Sequence, residues 1–226
     1  MAKTRFMLGV AGALALSWVA VCPAAEVRTR VYGECAPAST DGRVVTRTVT
    51  EEVPPSVGTT PFALSIGPGV SLPFDDWSVV GLRLNLFAGR HRDVWGIDAG
   101  GLGNEVTGHL TGVQGAGIWN HVGQADAAIQ LAGIANLCER DFNGLQSAGI
   151  YNWAGGTMTG LQVALVNRAG GFAGLQLGLF NAVDNGGGVQ IGLFNTARAL
   201  AGVQIGLVNV NENSTVPFLP VINMAF

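Results

Sequence analysis

The side chains with chemical potential are few and scattered. The histidines are His91, His109 and His121. His109 and His121 flank one copy of a repeated motif, which would put them in adjacent turns. Two turn imidazoles are compatible with a surface metal site, but solvated turn histidines are the plainer expectation. The run Gly89-Arg90-His91-Arg92-Asp93 has the charge to touch phosphate or lipopolysaccharide, or simply to form a charged hairpin loop. Asp75 and Asp76 are sequence neighbours, so in extended backbone they point apart and make no general acid/base pair. The Gly-rich stretch 100–103 follows an extended segment but opens no helix, which argues against a phosphate-binding loop. Asn213-Ser214-Thr215 is a glycosylation sequon that matters only in a host that uses it. These types and spacings yield no catalytic residue, no cofactor-binding residue and no metal ligand set; an enzyme is the least expected class.

Two amides, in contrast, recur with a period. GLQLGLFN at 174–181, GVQIGLFN at 188–195 and GVQIGLVN at 202–209 match almost letter for letter, and GLQVALVN at 160–167 precedes them. Three copies carry one more residue: GVQGAGIWN at 112–120, AIQLAGIAN at 128–136 and GLQSAGIYN at 144–152. GLRLNLFA at 81–88 and GIDAGGLGN at 96–104 are degenerate, and VPFLPVIN at 216–223 would place Asn223 in register with Asn209. That makes ten repeats of 14–16 residues. The structural columns are Gln114, Gln130, Gln146, Gln162, Gln176, Gln190 and Gln204, and Asn120, Asn136, Asn152, Asn167, Asn181, Asn195 and Asn209. A Gln column either recognises a glycan or forms a hydrogen-bonded ladder. The ladder is preferred, because buried amides need partners and a ladder supplies them.

The elements that hold these amides must be strands. In 188–195, Val189, Ile191 and Leu193 alternate with Gln190, Gly192 and Phe194. Two glycines per unit exclude a stable helix, since each costs about 1 kcal/mol relative to Ala. Gly and Asn are expected to end the strand in a turn, and the extra residue of the longer copies reads as a β-bulge. An apolar residue three positions before the motif's Leu or Val (Leu110, Phe142, Met158, Phe172, Leu200) extends each strand to about 10–12 residues.

Two all-β architectures accept such a unit: an up-and-down barrel of antiparallel strands and a β-solenoid in which like stacks on like. Between Gly144 and Asn211 the charged residues are Arg168, Asp184 and Arg198, each just after the motif Asn. Turn placement of those charges, with Val, Ile and Leu facing lipid and Gln lining the interior, favours an outer-membrane-type barrel, the solenoid being the alternative. The alternating Ile222, Met224 and Phe226 at the C-terminus point the same way; Pro217 and Pro220 in that strand, and equally short turns on both sides, point against it.

Charged residues are only 12% of the chain, against about 25% in ordinary soluble domains, so much of the surface is uncharged. A net charge of -3 argues against nucleic acid as a partner. Lys3 and Arg5, the apolar run 6–21 and Ala24-Ala25 read as a signal peptide over 1–25; a retained anchor and a lipid-bearing Cys22 are the competing readings. Cleavage leaves Cys35 and Cys138, which in an oxidising compartment would be able to pair or stay apart. Residues 26–60, with Arg28, Arg30, Glu34, Arg43, Arg47, Glu51 and Glu52, form a polar arm or cap, with an alternating stretch at 44–53, ahead of a repeat domain over 61–226.

Over 61–226 the chain resembles a family of bacterial surface-repeat proteins of leptospiral type, built on tandem G-[LV]-Q-[IL]-G-L-[FV]-N units. The lead-in PFALSIGPGVSL, the segment GLRLNLFAGRHRDVWGIDAG, the tandem units and the closing PFLPVINMAF carry the resemblance. It implies a surface or envelope location and supplies no catalytic residues. Arg83 and Asp98 depart from it, standing where Gln is expected, which suggests specialised first units. The resulting expectation is an exported, non-catalytic structural or interaction protein of the outer envelope, with no cofactor. Its partners would be outer-membrane lipid, the envelope surface or an unidentified surface ligand. A small pore or transport barrel is the alternative.

Overall fold

The computed structural model describes residues 28–32, 47–51 and 58–225. The chain divides into two units, 1–55 and 56–226. In the first, strand Arg28–Tyr32 pairs antiparallel with Arg47–Glu51, so a strand does lie within the alternating stretch at 44–53. The expected signal segment, Cys22 and Cys35 lie outside the described residues.

The second unit is a parallel β-solenoid, which corrects the barrel reading. Gly160 sits beside Gly174, Gly188 and Gly202 in turn, and Gln162 beside Gln176, Gln190 and Gln204, strand after strand in the same direction. A barrel of hairpins would need those neighbours antiparallel. Parallel pairing in strict register brings identical amides together at the interstrand spacing of about 4.8 Å, and no antiparallel arrangement of this repeat does so. Ten stacked turns run from Thr59–Gly67 to Phe194–Asn211. The lead-in Thr59–Gly67 is itself a turn, beside Ser78–Asn85. The last repeat is not: Phe218–Ala225 returns antiparallel along Phe194–Asn211. Asn223 therefore faces Gln204 and not Asn209. The two prolines near this strand are tolerated because it lies at the end of the sheet.

Each of the later turns consists of a long strand and a two-residue corner, while earlier ones are split, as at Ala135–Cys138 and Phe142–Ala148. Val166–Leu177, Phe180–Ile191 and Phe194–Asn211 are separated by Gly178-Leu179 and Gly192-Leu193. The motif Asn thus opens the next strand instead of ending the last one. Arg168, Asp184 and Arg198 consequently lie within strands and not in turns, as do His109 and His121. The extra residue of the longer copies is also no bulge. Ala116, Ala132 and Ala148 stack on one another at the strand end, so the insertion lengthens the strand ahead of an unchanged two-residue corner. Register breaks lie elsewhere, between Val106 and His109, Leu110 and Thr111, Phe142 and Gly144, and Ala154 and Thr157.

Inside, the apolar residues form two columns. Val106, Val122, Cys138, Ala154, Ala169, Val183 and Ala197 follow the Asn column two residues on, all buried. The second column contains Leu110, Phe142, Met158, Phe172 and Leu200, the apolar position marked in the sequence, and all five are buried. Large and small alternate where space is short: Phe142 stands beside Ala125, and Phe172 beside Gly186. One glycine column is forced by the backbone. Gly144, Gly160, Gly174, Gly188 and Gly202 have φ between +125° and +157°, and a Cβ on any of them would collide with a carbonyl oxygen of the preceding turn.

Candidate functional site

The predicted structural residues are all brought together, in two ladders. Each Gln donates from Nε2 to Oε1 of the Gln one turn earlier, from Gln204 back to Gln114, at 2.7–3.0 Å. Each Asn does the reverse. From Asn85 to Asn195, Nδ2 donates to Oδ1 of the next Asn at 2.6–3.0 Å. The second Asn proton goes to a backbone carbonyl that precedes the corner, as in Asn181 to Ile191 and Asn195 to Ile205, both 2.9 Å. This is why the motif Asn points inward: it ties the two ends of a turn across the corner. The two columns have opposite hydrogen-bond polarity, so their amide dipoles run antiparallel. Both are fully buried, which takes the Gln column out of reach of any glycan.

The Gln ladder needs an acceptor at its first member. Gln114 donates to Asp98 Oδ2 at 2.8 Å. That carboxylate is held by Arg83 through two bonds of 2.6 Å, both side chains having no solvent exposure, and also accepts from Asn85. Arg83 gives its remaining terminal nitrogen to the carbonyl of Glu105. The two departures from the repeat are thus one device, a neutralised carboxylate ending the amide column. At the opposite end, Gln204 Oε1 and the side-chain nitrogen of Asn223 are both buried without a partner.

His91 is buried beside this pair, and neither ring nitrogen has a partner. Burial, reinforced by the Arg83 charge, pulls its pKa down to about 4, against the weaker opposing pull of Asp75 and Asp76. The imidazole is therefore neutral at pH 7, and the run 89–93 is not one charged loop. Arg90 pairs with Glu105 at 3.4 Å, while Arg92 approaches Asp93 at 3.3 Å. His109 and His121 take separate carboxylates, Asp126 at 2.8 Å and Glu139 at 3.3 Å. Asp75 caps a turn by accepting from Gly69 N–H. Cys138 is a buried free thiol, pushed up to about 12 chiefly by loss of solvation; its thiol is no nucleophile at neutral pH.

With the amides inside, the aliphatic residues that flank them face out. Ile129, Leu131, Ile191 and Ile205 beside the Gln column are about 40% exposed. The corner column Leu102, Ile118, Ile134, Ile150, Leu165, Leu179, Leu193 and Leu207 is 38–63% exposed. Phe180 and Phe194 follow it, ring-stacked at 4.9 Å. Sequence reasoning tied outward aliphatics and inward Gln to a barrel. The structure combines the solenoid with the barrel's facing. Titratable side chains recur on the outer side of the other arm, one or three residues after the motif Asn: Glu105, His121, Glu139, Arg168, Asp184, Arg198 and Glu212.

No family model, curated protein or solved structure matches this chain.

Proposed function

We propose that this chain is an exported, non-catalytic structural or interaction protein of the bacterial outer envelope, working through the outer surface of its solenoid. The observation that carries this reading is where the repeat spends its residues. Its repeated polar groups are consumed in buried ladders, and its repeated aliphatic groups are presented outward. A surface renewed identically at every turn suits contact along a length, not reaction at a point. The resemblance of 61–226 to surface-repeat proteins points the same way, as do the charged, apolar and small-residue segments of 1–25. The small-pore alternative draws no support from an interior filled by amides.

Cell fractionation of the producing bacterium, with the chain followed by mass spectrometry, tests the proposal. Recovery in the outer-membrane fraction with a mature start near Glu26 is expected. Recovery in the cytosol with Met1 intact would overturn it.

A further inference from the structure

The outer apolar face is continuous. Ten interstrand steps from the Ala63 rung to Asn223, at about 4.8 Å each, make it roughly 50 Å long. Some five residues around the corner make it about 15 Å wide, so its area is on the order of 700 Å². Soluble monomers rarely carry apolar patches beyond roughly 300–600 Å².

We infer that this face rests on the acyl–headgroup boundary of a lipid leaflet, with the solenoid axis parallel to the membrane plane. The inference builds on the envelope reading above and names the partner. Three features favour lipid over a second protein. First, from 102 to 208 the face bears no charged side chain, while the charges cluster on the opposite arm, the partition of an interfacial amphipathic element. Second, the surface repeats at every rung and offers almost no hydrogen-bonding group. Protein interfaces carry about one hydrogen bond per 100–200 Å² and a shape that fixes one register. A face that looks alike after every shift of one turn fixes none, and a fluid partner needs none. Third, Trp119, Tyr151 and Trp153 lie where the apolar corner meets the charged arm. Amphipathic rings favour that boundary at membrane surfaces. No helix among the described residues is long and apolar enough to cross a membrane. The contact proposed lies on the leaflet.

Site-directed nitroxide labelling tests this on the full chain, with Cys22→Ser and Cys35→Ser removing the other thiols outside the core. Labels are placed at Leu179→Cys or Leu193→Cys on the apolar face, and at Arg198→Cys on the charged arm. Collision rates with oxygen and with a water-soluble nickel chelate are compared before and after adding phosphatidylcholine vesicles. On the apolar face, the oxygen-to-nickel ratio should rise at least fivefold, while position 198 stays unchanged. The rise should persist with added phosphatidylglycerol and in high salt, because no charge lies in the contact. The readout is local, so binding through residues 6–21 alone would leave positions 179 and 193 wet and overturn the inference. Spin–spin broadening at 179 without vesicles, in a dimer that ignores them, would also overturn it, but would leave the outward-face reading intact. A monomer whose labels never change would sink both.

Discussion

The Arg83–Asp98 pair offers the sharpest test of the columnar interior. Asp98→Gln leaves a guanidinium with no solvent exposure and no counter-charge. Arg83→Gln leaves the carboxylate in the same position. Removing one partner of a buried ion pair costs about 3–5 kcal/mol, so each single change should cost that much. The double change has a different outcome. Gln at 98 accepts from Gln114 as Asp98 does, and can donate to Gln at 83, so the ladder simply runs two rungs further. Its cost should lie within about 1 kcal/mol of zero, since buried pairs are often replaceable without loss when both members change together. The cycle then closes with a coupling of at least about 5 kcal/mol. Equilibrium urea unfolding, followed by the fluorescence of Trp77 and Trp95 near these rungs, measures all four chains. Single changes that each cost under about 1 kcal/mol and simply add would refute the claim that the two residues occupy one column as a terminating pair.

Gly160→Ala places a methyl group against the carbonyl of Gly144 at φ +125°, and should cost several kcal/mol, whereas Ala128→Gly in the same column should cost about 1 kcal/mol or less; thermal unfolding distinguishes them. His91 has a folded pKa below its unfolded value of 6.5, so the unfolded chain takes up a proton first as pH falls. Stability should decline from pH 6.5 to about 4 by roughly 3 kcal/mol and then level off with respect to this group. The difference between the urea midpoints of the native chain and His91→Phe, tracked against pH, isolates that slope; a pH-independent difference contradicts it. Deleting residues 182–195 joins Asn181 to Thr196 and sets Gln204 on Gln176. This one-turn deletion should retain the fold as well as a two-turn deletion does, by circular dichroism and cooperative melting, because parallel turns have no up and down to alternate.

Much of this fold was legible, because a 14–16-residue period with Gln and Asn at fixed places leaves only strand-repeat architectures, a barrel or a solenoid. The strands and the amide ladder followed from alternation and from the demand that buried amides be paired, and the apolar column of Phe142, Met158 and Phe172 was marked by its spacing. Strand direction did not follow. Period-two alternation is identical in parallel and antiparallel strands, and the charges at 168, 184 and 198 looked like turn residues because Asn was read as closing a strand. The missing fact was that Asn181 spends its second proton on Ile191, which places it after the corner. Arg83 and Asp98 were visible as departures. A stronger signal was also present: opposite charges at one column position in consecutive repeats. His91 gave no sign of burial, sitting between two arginines.

The opposed polarity of the two amide columns bears on how such an array can change over generations. A single column of aligned amides gains dipole with every added rung, which would penalise long arrays. Two columns that cancel make each turn electrically neutral along the axis. Duplicating or excising a whole unit in frame therefore leaves the ends exactly as they were chemically: an ion pair at one and a returning strand at the other. Repeat number becomes a quantity that recombination can tune freely, setting the length of the contact strip without redesigning any residue within it.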